Sequence, residues 1–100
     1  MNINFQSVNF KIDQKLIHFA EKKISKLELC YFNIINIDVT FKLENNSDRV
    51  SKFVEFNIKI PGEDVIVKKT SKSFEESIDL NVKSAERILI KNKEILNKLF

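Results

Sequence analysis

Two stretches of strict alternation constrain this chain more than any other feature. Ile37, Val39, Phe41 and Leu43 alternate with Asp38, Thr40, Lys42 and Glu44, and Val54, Phe56, Ile58 and Ile60 alternate with Phe53, Glu55, Asn57 and Lys59. A period of two places each apolar set on one face of a pleated strand. Both stretches therefore read as half-buried strands. Asn45-Asn46-Ser47-Asp48, between them, is turn chemistry. Pro61-Gly62 occupies the centre of a reversal from Ile60 to Glu63. Proline fixes φ at its second position and glycine supplies the positive φ at its third, as a type II turn requires. Residues from about Asp64 to Ser71 return as a third strand with a lysine-rich end.

The flanking segments have other periods. Ile3 and Phe5 alternate with Asn2, Asn4 and Gln6, which fits a short first strand. Asp13 is placed to cap a helix, with Ile12 and Ile17 in the positions of a hydrophobic staple. Leu16, Ala20, Ile24, Leu27 and Tyr31 then recur at helical spacing, with Ile17 and Cys30 widening the stripe, so the spacing predicts a helix from about Gln14 to Cys30. Ser73-Phe74-Glu75-Glu76 is a capping box that opens a last helix running to about Lys98. Its inner stripe is Phe74, Ile78, Val82, Ala85, Leu89 and Leu96, broadened by Ile88, Ile95 and Leu99. The order is β-α-β-β-β-α. Two amphipathic helices and a meander with one apolar face predict an α+β fold, both helices on one side of a four-stranded sheet. At 100 residues the chain is expected to be one domain, residues 1–100.

Much chemistry is excluded by what the chain lacks. One proline and one glycine leave no phosphate-cradling glycine loop. Cys30 is the sole cysteine, so no internal disulfide and no two-cysteine metal site can form, and a small buried apolar role is expected for it. His18 is the sole histidine and stands in no nucleophile or metal spacing. The pairs Glu75-Glu76 and Glu63-Asp64 are explained by a cap and a turn. A binding protein with no enzymatic activity, no cofactor and no metal is expected. No apolar stretch approaches the roughly 20 residues that cross a bilayer. The first residues show no signal-peptide pattern, so a cytoplasmic, membrane-independent chain is expected.

Charge is more informative in its distribution than in its total of +3. On the last helix Lys83, Arg87 and Lys91 recur every four residues and form one ridge, with Lys93 and Lys98 nearby. Glu75, Glu76 and Asp79 make the first half of the same helix acidic. On the first helix Lys15, Lys22 and Lys26 share a flank, with Lys23 turned aside. If the helices are neighbours, their basic flanks border one groove, and Lys68, Lys69 and Lys72 extend it. Such a surface suits phosphates, through contacts that are sequence-independent and salt-dependent. The same distribution also complements the helix dipole, and exposed lysines are commonly only a solvated face. Aromatic stacking adds little: Phe10 and Phe53 are the two rings expected to be exposed.

The ordered motifs on the two helices go further. Lys23-Ile24-Ser25-Lys26-Leu27-Glu28 resembles the basic-apolar-x-Lys-Leu-Glu stretch of the short ribosome hibernation-promoting factors, also called ribosome-associated inhibitor or sigma-54 modulation proteins. Phe74-x-x-x-Ile78-Asp79 is similar to that family's aromatic-Ala-Ala-Ile-Asp start, and Arg87-Ile88-Leu89-Ile90-Lys91-Asn92-Lys93 to its Arg-Gln-Leu-x-Lys-x-Lys segment. The departures are Ser84, where the family often has lysine, Ser71-Lys72-Ser73 before the aromatic, and Val67-Lys68-Lys69-Thr70 in place of an Ala-rich third strand.

The resemblance implies a fold similar to double-stranded-RNA-binding domains. It implies binding to 16S rRNA of the small ribosomal subunit, in the channel for messenger and transfer RNA, so that translation is blocked and ribosomes are stored during starvation. Carried over by position, Lys23, Lys26, Arg87, Lys91 and Lys93 contact RNA phosphates; Lys22 and Lys83 join them from the helical faces. Ending at Phe100, the sequence is expected to correspond to the short form, a monomer acting with a separate ribosome-dimerising protein. The alternative is a protein-interaction module that regulates transcription through the open sheet face around Phe53.

Overall fold

A computed structural model describes the backbone of residues 1–31, 33–46 and 49–99, with the side chains of these except 46, 49 and 92–99. Its elements are β1 (Asn2–Val8), α1 (Gln14–Ile24), a short α2 (Leu27–Cys30), β2 (Asn36–Asn46), β3 (Arg49–Ile60), β4 (Glu63–Ser71) and α3 (Phe74–Leu99). The four strands form one sheet in the order β1-β2-β3-β4. β2, β3 and β4 pair antiparallel, whereas β1 runs parallel to β2 because α1 carries the chain back across the sheet. The β-α-β-β-β-α order read from the periodicities is thus the order of the fold.

The register explains why the alternation is so strict. Val39 faces Phe56, Phe41 faces Val54, and Ile58 faces Val65, so the apolar sets of three strands share one face. On that face Ile37, Val39, Phe41, Val54, Phe56 and Ile58 are fully buried. Leu16, Ala20, Ile24 and Leu27 from α1 and α2, and Ile78, Val82, Ala85 and Leu89 from α3, close the core from above. Leu43, at the end of its strand, escapes this cover and is exposed. At the β3–β4 turn Gly62 has φ +87°, the conformation expected of the third residue of a type II turn. The four-residue turn expected before it includes Ser47 and Asp48, which lie outside the described residues.

Three details differ from the sequence reading. The predicted helix from Gln14 to Cys30 is two helices, separated at Ser25 and Lys26. There the Ser25 hydroxyl donates to the Lys22 carbonyl at 2.8 Å, and the backbone bonds from Lys26, Glu28 and Leu29 each reach back three residues. This 3₁₀-like tightening turns the chain between the helices. Phe10 is half-buried rather than exposed, stacked on Phe74 with ring centroids 5.3 Å apart. Ile88 is exposed, on the rim of the α3 stripe that it was expected to broaden. Leu96, Ile95 and Leu99 lie outside the described side chains.

The N-cap bond of the expected capping box forms, the Glu76 amide donating to Ser73 Oγ at 3.1 Å. Asp13 likewise accepts from the Lys15 amide at 3.1 Å. Behind these caps α3 buries three polar side chains that its apolar stripe does not announce, Ser77, Asn81 and Ser84, and the first two bond to β3. Ser77 Oγ donates to the Lys52 carbonyl at 2.7 Å, and the Asn81 amide donates to the Val54 carbonyl at 2.8 Å. Both bonds tie α3 to β3 at successive turns and fix how the helix is rotated on the sheet.

Candidate nucleic-acid interface

That rotation decides where the basic ridge points. Asp79 faces α1, its carboxylate 3.6 Å from the Lys23 ammonium, which also sits 5.5 Å from the Phe19 ring centroid. At 3.6 residues per turn, Arg87 lies about 80° around the helix from Asp79. Lys83, Arg87 and Lys91 are all exposed, and they project away from the helix–helix seam toward β4. The groove they border is therefore bounded by α3 and β4.

This groove encloses about 460 Å³ and is lined by Ile66, Val67, Lys68, Lys69, Ser84, Arg87, Ile88 and Lys91. A second hollow along the same flank is lined by Lys69, Leu80, Lys83, Ser84, Glu86 and Arg87. Neither includes a residue of α1 or α2. Lys69 pairs with the buried Val54 and so lies on the helix side of the sheet; Lys68 pairs with Glu55 and lies on the open side. Because β4 is an edge strand, both reach the groove. Ser84 is buried at its base and accepts a long hydrogen bond, 3.4 Å, from Arg87 Nη2.

Six of the seven residues singled out in the sequence thus fall into three sets. Lys83, Arg87 and Lys91 are brought together, and Lys68 and Lys69 join them. Lys22 and Lys26 are exposed at the end of α1 and in the break before α2, apart from that groove. Lys23 is only 31% exposed and is engaged with Asp79 and Phe19 between the helices. The Lys93 side chain lies outside those described. The contribution of β4 follows from strand register, a signal that helical periodicity does not contain.

The chemistry available is that of electrostatic binding. Among the described residues no group of three or more His, Cys, Asp or Glu is placed to hold a metal. His18 is exposed and hydrogen-bonded to Gln14 on α1, at 3.1 Å. Cys30 is half-buried. Among the described residues no helix is long and apolar enough to cross a membrane.

Comparison with known proteins bears on the family and the fold. The chain is 28% identical over 102 residues to the ribosome hibernation promotion factor of Bacillus subtilis, a match that covers all of this chain and 52% of that protein. It is 26% identical over 94 residues to the ribosome hibernation promoting factor of Pseudomonas putida, covering 94% of this chain and 88% of the relative. The chain therefore spans about half the length of the first relative and most of the second. A solved structure of a ribosomal subunit interface protein from Coxiella burnetii superposes with a TM-score of 0.85 at 26% identity, over 94% of this chain and 99% of that one. The crystal structure of the Thermus thermophilus Protein Y N-terminal domain shares the fold, with a TM-score of 0.79 at 22% identity over 91% and 98% of the two chains. The family model described as Sigma 54 modulation protein / S30EA ribosomal protein matches residues 3–97, and the chain belongs to that family.

Proposed function

We propose that this protein is a ribosome hibernation factor that binds the small ribosomal subunit in the channel for messenger and transfer RNA. Occupying that channel on idle ribosomes in the cytoplasm blocks translation and stores the particles during starvation. The protein acts by binding and not by catalysis. The observation that carries this reading is the exposed ridge Lys83-Arg87-Lys91, set on a fold whose relatives are named for ribosome hibernation. Lys22, exposed on α1, Lys26, exposed in the break before α2, and Lys23 and Lys93 complete the proposed contact set with rRNA phosphates. A separate ribosome-dimerising factor is a further partner under this reading.

Sedimentation of a stationary-phase lysate through a low-salt sucrose gradient is the direct test. The protein is expected with small subunits or whole ribosomes, and Arg87→Glu with Lys91→Glu is expected to move it to the top of the gradient. Wild-type protein found only at the top, at low salt, overturns the proposal. The alternative, a regulatory protein-interaction surface on the open sheet face, has less support. That face is largely polar, with Asn4 bonded to Asp38 and Gln6 to Thr40 across β1 and β2. Phe53, its most prominent aromatic, is half-buried between its strand partners Lys42 and Thr70. Binding that followed Phe53→Ala and ignored salt would favour this second reading.

A further inference from the structure

The groove between β4 and α3 carries charge that the ridge alone does not explain. Four cations, Lys68, Lys69, Arg87 and Lys91, line about 460 Å³, and among the described side chains no carboxylate lines it. Of the described acids of α3, Asp79 faces Lys23, and Glu86 lines only the neighbouring hollow. Gathering like charges around one concavity is unfavourable for the protein by itself, and a polyanion removes that penalty. Arg87 is also held at the groove by its hydrogen bond to the buried Ser84. The remaining lining, Val67, Ile66 and Ile88, is apolar. It suits the flat face of a sugar or base and does nothing for a small inorganic anion.

The dimensions point to a strand. Lys83, Arg87 and Lys91 rise about 6 Å apart along the helix axis. That interval is close to the spacing of successive phosphates in a polynucleotide. Lys69 and Arg87 are shared by the groove and the hollow beside it, so the cationic lining is continuous along two helical turns. We propose that the β4–α3 groove tracks the phosphodiester backbone of one strand of ribosomal RNA, with Lys68 and Lys69 as phosphate contacts additional to those of the helices. This inference rests on the ribosome-binding reading above. It places the RNA over one edge of the sheet, on the side of α3 away from α1.

The test is a salt titration of the full chain on purified bacterial ribosomes, comparing Lys68→Gln/Lys69→Gln with Lys42→Gln/Lys59→Gln. The second pair removes the same charge from the other strands. The groove variant is expected to bind about tenfold more weakly at moderate salt, with the log–log salt slope reduced by about 1.5. The control pair is expected to stay within about twofold of wild type. Equal behaviour of the two pairs, while Arg87→Glu/Lys91→Glu abolishes binding, overturns the groove and leaves the ribosome reading intact. Wild-type protein that fails to bind ribosomes, or binds them without salt dependence, overturns both. Vesicles containing anionic phospholipid are the remaining arm. Lysine-dependent capture by vesicles, with ribosome binding unaffected by the groove substitutions, assigns the groove to a lipid surface and overturns the RNA assignment. A circular-dichroism melt of each variant confirms that a loss of binding is not a loss of fold.

Discussion

Asn81 is the residue on which the placement of α3 depends most. It is fully buried, and its amide reaches across to the Val54 carbonyl at 2.8 Å. A buried hydrogen bond of this kind contributes modestly when made, but it is costly to lose. Asn81→Ala is therefore expected to lower stability by about 1–3 kcal/mol. The check is the urea midpoint, which should fall with an unchanged m-value. The Lys23–Asp79 ion pair, by contrast, has both side chains substantially exposed, at 31% and 42%, and adds little to stability. Its value is positional, because it marks which flank of α3 meets α1. Neither role was legible in the sequence. Asn81 breaks the apolar stripe, and the carbonyl that accepts from its amide nitrogen is 27 positions away on another element. Ser77 was hidden for the same reason, its partner being the Lys52 carbonyl on β3: a short polar residue among apolar ones reads as a gap until its partner is placed.

At the scale of the element, capping and alternation were the dependable signals because both are local. The Ser73 cap is observed as the motif implies, and Ser73→Ala is expected to cost about 1 kcal/mol, read as a lower thermal midpoint. The strands were equally legible, since the side-chain period leaves each residue only two faces to choose from. The break at Ser25 was not. Apolar residues at Ile24 and Leu27 satisfy a continuous helical stripe, and three-residue spacing is compatible with either an α or a 3₁₀ turn. Only the hydroxyl bond to Lys22 and the shortened backbone bonds show that the helix ends there. As a result Lys26 stands in the break and not on the helical flank it was read as sharing with Lys22.

For the whole molecule, the sequence identified the basic residues of α3 but not their neighbour. Periodicity assigns each lysine to a face of its own element. Which elements adjoin that face depends on strand order and on helix rotation. Here β4 is the outer strand and α3 lies above β3 and β4, so the ridge meets Lys68 and Lys69 rather than the lysines of α1. A groove drawn between two helices became a groove drawn between a helix and a sheet edge.

The opposite edge of the sheet leads to a consequence of another kind. β1 is bonded on one side only, to β2, and it is parallel where every other pairing is antiparallel. β2, β3 and β4 follow one another closely in sequence, so their pairings close short loops. β1 must wait until the chain has been drawn back across the sheet, and closing that longer loop carries a larger entropic cost. In native-state hydrogen exchange, amides of residues 2–8 are expected to take up deuterium at lower opening free energy than those of 54–60. Equal protection of the two segments would mean that the sheet opens as one unit.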